Sequence, residues 1–187
     1  MLILGISGSL RRQSGNARLL RAAAAKLPAG TGLRVYDELA GIPPFSEDHE
    51  ARPAGPALRR LRAEIALADA VLISTPEYNG SFPGQLKNAL DWISRPLQTS
   101  PLRGRPVAVI GASSGIFGAV WAQADLRRVL TAIGAAVLDE ELAVGQADTA
   151  FTLCGDLRDP DTDAALAALM ARLAAPAPSP ARAGVLC

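Results

Sequence analysis

Short runs in which nearly every side chain is apolar set the terms for this chain: residues 2–6 (LILGI), 70–74 (AVLIS) and 106–111 (PVAVIG). A strand with one face in water alternates apolar and polar residues, so an unbroken run implies burial on both faces. Strands of that kind belong to a parallel sheet, which needs crossover helices and uses them to cover its two sides.

The stretches between the runs supply such helices. Leu20, Ala23, Ala24 and Leu27 recur at helical spacing before Pro28 and Gly30 close the segment, and Leu58, Leu61 and Ile65 mark a second helix. Pro83 opens a third, striped by Leu86, Ala89, Leu90 and Ile93, and Ala122, Leu126, Val129, Leu130 and Ile133 stripe a fourth. Leu166, Leu169, Met170 and Leu173 stripe the last, where Met170 reads as core filler. Leu33 and Val35 alternate with Arg34 and Tyr36 as in a half-exposed strand at a sheet edge, and AAVLDEEL (135–142) reads as the fifth strand. Five strands alternating with five helices predict a doubly wound five-stranded parallel sheet with helices on both faces.

One domain suffices for 187 residues. It is expected over 1–175, followed by a disordered tail, 176–187, whose APAPSPARAGVLC composition lacks the large apolar groups that would repay ordering it. Nineteen basic against eighteen acidic side chains leave a net charge of +1, which argues against nucleic acid or an anionic membrane as partner. No run approaches the roughly 20 apolar residues of a membrane span, and the start of the chain lacks a charged leader, so a cytoplasmic location is expected. Two cysteines and a single histidine, His49 in an acidic loop, point to no metal site and no disulfide framework. Cys154 reads as a packed or partly buried thiol rather than a nucleophile, and His49 as solvated.

Ligands of open α/β sheets sit beyond the carboxyl ends of the strands, and three glycine-bearing polar loops fall there. GISGSLRRQSGN (5–16) leads into a helix N-terminus, where free N–H groups attract an anion; Ser9, Ser14 and Asn16 add neutral donors and Arg11 adds charge. Its glycine spacing fits neither a nucleoside-triphosphate loop nor a dinucleotide fingerprint, which leaves a phosphate monoester. Asp37, after the second strand, stands where a ribose partner would be, without those glycines to support it. Pro76, Glu77, Tyr78, Asn79 and Gly80 form a turn whose backbone suits the edge of a flat heteroaromatic ring, with Tyr78 near its face. Ser113, Ser114 and Gly115 belong to the third loop, GASSGIFGA (111–119). Each loop alone also reads as plain structure: an N-capped helix start, a tight Asn-Gly turn, loop punctuation.

Together the motifs resemble the NAD(P)H-dependent FMN reductase family, the flavodoxin-like group of bacterial azoreductases, chromate reductases and quinone reductases. Gly8, Ser9, Leu10, Arg11, Ser14 and Asn16 match its G-S-L-R-x-x-S-x-N loop, and Pro76 through Trp92 match P-E-Y-N-G-S-x-P-G-x-L-K-N-x-x-D-W. The third loop matches least, with Ser114, Ile116 and Ala119 at positions where members carry Pro or Thr and further glycine.

The resemblance implies a flavodoxin-like fold with bound FMN, its phosphate on Ser9, Arg11, Ser14 and Asn16. The ring would lie against Pro76, Glu77, Tyr78, Asn79 and Gly80, beside Ser113, Ser114 and Gly115. NADPH or NADH would serve as hydride donor and a quinone, azo compound, metal oxyanion or flavin as small-molecule acceptor, with the chemistry at FMN N5 and no catalytic side chain. Glu77 is expected to act through its backbone or a local hydrogen bond. A homodimer or homotetramer is implied, with the partner subunit walling the flavin and Trp92 a candidate interface residue. A non-enzymatic flavodoxin-type electron carrier is the rival reading; the balanced charge offers it no acidic docking face.

Overall fold

A computed structural model describes residues 1–175, so the tail expected at 176–187, with Cys187, lies outside the described residues. The strands are β1 (Leu2–Ser7), β2 (Gly32–Tyr36), β3 (Ala70–Thr75), β4 (Pro106–Ala112), β5 (Ala136–Val137) and β6 (Leu142–Val144). Helices α1 (Gly15–Ala25), α2 (Pro56–Leu67), α3 (Gly84–Ile93), α4 (Val120–Ala132) and α5 (Pro160–Leu173) connect and cover them. Every pairing is parallel, in the order β2-β1-β3-β4-β5, with β6 also on β4. This is the 2-1-3-4-5 order of flavodoxin-like doubly wound folds.

Alternate residues of the central strands feed two separate cores. Leu4, Ile6, Val71, Ile73, Val107 and Val109 pack beneath α2, α3 and α4, whereas Ile3, Ala70, Leu72, Ala108 and Ile110 pack beneath α1 and α5. Lys26 at the end of α1 reaches Asp163 of α5 at 2.7 Å, tying that layer together across its surface. Met170 is fully buried in it, as expected.

The fifth strand departs from expectation because it is split. Leu138 N still donates to Val107 O at 2.8 Å, but residues 139–141 leave β4, and the guanidinium of Arg127 takes their place, donating to Val109 O at 3.4 Å and Glu140 O at 2.6 Å. The acidic run Asp139, Glu140, Glu141 stays outward, with Arg127 3.3 Å from Glu141 and Arg172 3.3 Å from Glu140. β2 does lie at the sheet edge, with Leu33 packed on the core and Arg34 exposed as expected, but the alternation fails at its end: Val35 is 42% exposed, and Tyr36 is buried with its hydroxyl donating to Ala57 O at 2.8 Å. α2 covers that face even at the edge.

Two side chains sit differently from the sequence reading. Trp92 is buried within its own chain, edge-on to Phe45 at 5.0 Å and donating Nε1–H to Pro43 O at 2.8 Å, because the loop after β2 folds back over α3. It is therefore no interface residue. Cys154 is exposed rather than packed, on the turn between β6 and α5. His49 is exposed, as expected.

Candidate active site

Because the sheet is parallel, the loops after β1, β3, β4 and β6 all leave from one edge. The first is held at its base by Gly8 N, which donates to Ser74 O at 2.8 Å. Ser14 then caps α1, its Oγ accepting from Ala17 N at 3.1 Å, which leaves the hydroxyl proton and the N–H groups of Gly15 and Asn16 free for an anion. Ser9 Oγ accepts from Arg11 N at 3.4 Å, so its proton is also free. The Arg11 side chain is exposed and has no acidic partner among the described residues.

Asn16 plays a different part from the one expected of its side chain. It is buried, its Nδ2 donates to Ala112 O at 2.8 Å, and its Oδ1 accepts from Ser74 Oγ at 2.8 Å and Ala112 N at 3.0 Å. Its amide thus joins the ends of β3 and β4 to α1, and only its backbone N–H faces outward as a donor.

In the second loop, Tyr78 N donates to Ser81 O at 2.8 Å and Ser81 N to Tyr78 O at 3.1 Å, closing a two-residue turn. Asn79 at φ 52° and Gly80 at φ 77° make it a type I′ turn, the conformation that favours Asn-Gly. The Glu77 carboxylate accepts from Ala122 N at 3.2 Å in the first turn of α4. That helix starts from Ala119 in a left-handed conformation with no side-chain cap of its own, so a carboxylate from another loop satisfies it.

The third loop is laced to a fourth segment, 145–148, that sequence reasoning missed. Ser113 N donates to Val144 O and Gln146 N to Gly115 O, each at 3.0 Å. The contact is so close that a Cβ on Gly145 would lie 2.3 Å from Ile116 O. A glycine following an apolar strand at the same sheet edge was the available signal.

These segments enclose a cavity of about 130 Å³. Of the expected residues, Ser9, Arg11, Ser14, Asn16, Pro76, Glu77, Tyr78, Ser113 and Ser114 line it; Asn79, Gly80 and Gly115 do not, the first two forming the tip of their turn and Gly115 bracing the fourth segment. Gln13, Gly15, Arg18, Ala112, Ala147 and Asp148 complete it. Arg18 stands one helical turn beyond Ser14, with its guanidinium 4.5 Å over the Phe151 ring, so a second cation faces the anion donors. The donor set fits a phosphate monoester: N–H groups at a helix start, two hydroxyls and two guanidiniums. Gly15 keeps it open, since a Cβ there would come within 2.8 Å of Ala147 Cβ.

The family model described as NADPH-dependent FMN reductase matches residues 1–149. The chain belongs to that family. The chain is 44% identical over 158 residues to an NAD(P)H-dependent FMN reductase of Pseudomonas aeruginosa, covering 84% of each chain. A 2-hydroxy-1,4-benzoquinone reductase of Burkholderia is 37% identical over 171 residues, covering 91% of this chain and 92% of the relative. Among solved structures, the flavoenzyme NAD(P)H:acceptor oxidoreductase FerB of Paracoccus denitrificans superposes with a TM-score of 0.82 at 33% identity, over 92% of this chain and 94% of its own. The protein is accordingly an oxidoreductase of a family that works with FMN and NAD(P)H. No helix among its described residues is long and apolar enough to cross a membrane.

Proposed function

We propose that residues 1–175 form an FMN-binding domain that passes reducing equivalents from NAD(P)H to a small electron acceptor, with quinones the leading class. The observation that carries this is the meeting of the β1, β3 and β4 loops at one cavity furnished with uncapped N–H groups, Arg11 and Arg18. The phosphate lies among Ser9, Arg11, Ser14 and the N-terminus of α1. Pro76, Glu77, Tyr78, Asn79 and Gly80 flank the ring on one side, and Ser113, Ser114 and Gly115 on the other. The quinone reductase names among the relatives support the acceptor class. Azo compounds, metal oxyanions and free flavin suit the same open face.

Bound FMN supplies the two-electron exchange between donor and acceptor. The chain contributes position and shielding: backbone groups at 76–80 orient the ring, and the Glu77 carboxylate is engaged in capping α4. Tyr78, Ile116, Phe117 and Trp121 are 53%, 69%, 57% and 52% exposed, and Phe117 meets Trp121 edge-on at 5.1 Å. An apolar cluster of this kind beside the ring loops supports a homodimer or homotetramer in which a second copy closes the site. A donor pool of NAD(P)H accords with the cytoplasm.

The test is the visible spectrum of the purified protein saturated with FMN, followed without oxygen by each nicotinamide. An oxidised-flavin spectrum that bleaches rapidly supports a reductase; retained flavin that bleaches slowly favours the electron carrier, and no flavin uptake overturns the reading. Replacing Arg11 and Ser14 together by alanine should weaken FMN binding by about 2–4 kcal/mol, the sum of a charge-assisted and a neutral hydrogen bond.

A further inference from the structure

The fourth segment of the site, 145–148, ends in a carboxylate. Asp148 lines the phosphate cavity with Gln13, Arg18 and Ser113, is exposed, and has no side-chain hydrogen bond or ion pair among the described residues. It has no duty in its own turn either: Thr149 N and Ala150 N donate to Gln146 O at 2.9 and 3.1 Å, so backbone alone closes that turn. We propose that Asp148 binds the ribityl chain of FMN, its carboxylate accepting a hydrogen bond from a hydroxyl between the phosphate and the ring. The inference rests on FMN occupying this cavity.

The neighbouring residue fixes its level along the cofactor. Ala147 meets the phosphate end on one side, where a Cβ on Gly15 would come within 2.8 Å of Ala147 Cβ. On the other side it meets the third loop, expected beside the ring, where Ala147 N donates to Ser113 O at 3.0 Å. Asp148 follows directly, between the donors at the start of α1 and the loops that flank the ring.

Hydrogen-bonding character decides what it meets there. Phosphate oxygens accept, and the cavity gives them donors in the Ser9 and Ser14 hydroxyls, Arg11, Arg18 and the N–H groups of α1. An ionised carboxylate accepts only, so it repels a phosphate and pairs with the hydroxyls that a ribityl chain carries. Glu77, the other carboxylate of the cavity, already accepts from Ala122 N. Because the Asp148 side chain bonds nothing within the chain, variants at this position should fold as wild type does.

The test is fluorescence titration of wild type, Asp148→Ala and Asp148→Asn with three flavins: FMN, riboflavin, which keeps the ribityl chain without the phosphate, and lumiflavin, which has neither. Asp148→Ala should weaken FMN and riboflavin by a common factor of about ten and leave lumiflavin unchanged. Asp148→Asn keeps a neutral oxygen acceptor and should weaken them less. The Arg11→Ala/Ser14→Ala double variant should instead weaken FMN and spare riboflavin. FMN affinity that is unchanged or tighter in Asp148→Ala overturns the proposal, tighter binding marking a carboxylate that faces the phosphate. An equal loss with lumiflavin also overturns it, since that reports a distorted cavity. Should the double variant keep its FMN affinity, the phosphate assignment fails instead, and the riboflavin titration still decides Asp148. Absence of any flavin uptake by wild type overturns both.

Discussion

Asn16 and Ala112, 96 residues apart, exchange two hydrogen bonds: Asn16 Nδ2 donates to Ala112 O at 2.8 Å, and Ala112 N donates to Asn16 Oδ1 at 3.0 Å. A side-chain amide here stands in for a neighbouring strand, pairing the end of β4 and, through Ser74 Oγ, the end of β3. One buried group thus ties together the origins of three loops.

Asn16→Ala should therefore destabilise the flavin-free protein. It leaves a buried N–H, a buried C=O and a buried hydroxyl without this partner, a loss of about 2–4 kcal/mol, or roughly 5–15 °C in Tm for a domain of this size. Asn16→Asp should do no better, since it removes the donor and sets a carboxylate against Ala112 O. Calorimetry without FMN checks this. A residue that served only the phosphate would leave that melting temperature unchanged.

Glu77 offers a separate test of what carboxylates do here. With Oε2 accepting from Ala122 N, it caps α4 from outside, and Glu77→Ala should cost about 0.5–2 kcal/mol in denaturant unfolding. Glu77→Gln keeps an oxygen acceptor and should cost less. Loss of a general acid or base lowers turnover by about 10²–10⁴-fold; Glu77→Gln should show no such loss, and its rate–pH profile should keep the shape of the wild type.

The parts of this molecule legible in the sequence are those set by local periodicity. Runs such as AVLIS announce burial on both faces, and Ser14 ahead of a helical stripe announces the N-cap of α1. What stayed hidden depends on partners distant in sequence. The break in the fifth strand is explained by Arg127, whose guanidinium replaces strand hydrogen bonds at Val109 and Glu140. The role of Asn16 depends on Ser74 and Ala112, and the burial of Trp92 on Pro43 and Phe45 folding back over it. The fourth wall of the site went unread because residues 145–148 carry only one glycine as a marker, and its necessity shows only when Ile116 is placed against it.

Tyr36 should make stability pH-dependent at the alkaline end. Burial, reinforced by the nearby Glu38 carboxylate, raises its phenol from the ordinary 10.0 to about 12. The neutral form is thus favoured in the folded state, so its contribution is complete below pH about 10 and is lost as pH climbs through about 12. Tyr36→Phe should lower stability at neutral pH, because the bond to Ala57 O is lost, yet decline less steeply over that window. Urea unfolding at a series of pH values for both proteins measures the difference. Parallel curves would show that the phenol does not titrate with folding.

Gly145 and Gly84 should respond in opposite directions to the same change. A Cβ at Gly145 would fall 2.3 Å from Ile116 O and 3.2 Å from Gly115 O, both backbone atoms that no rotamer change can move aside. Gly145→Ala must therefore push the third loop off the fourth segment, straining the bond from Gln146 N to Gly115 O. Overpacking of this kind costs about 1–3 kcal/mol, and FMN affinity should fall with it, because Ser113 and Ser114 shift with the loop. Gly84, the first residue of α3, has nothing within 4 Å of its would-be Cβ and already holds a helical backbone. Alanine there removes only unfolded-chain freedom and should stabilise by about 0.4–1 kcal/mol. Denaturant midpoints and flavin titrations on the two variants read both effects; equal shifts of the same sign would mean that the third loop does not rest on the fourth segment.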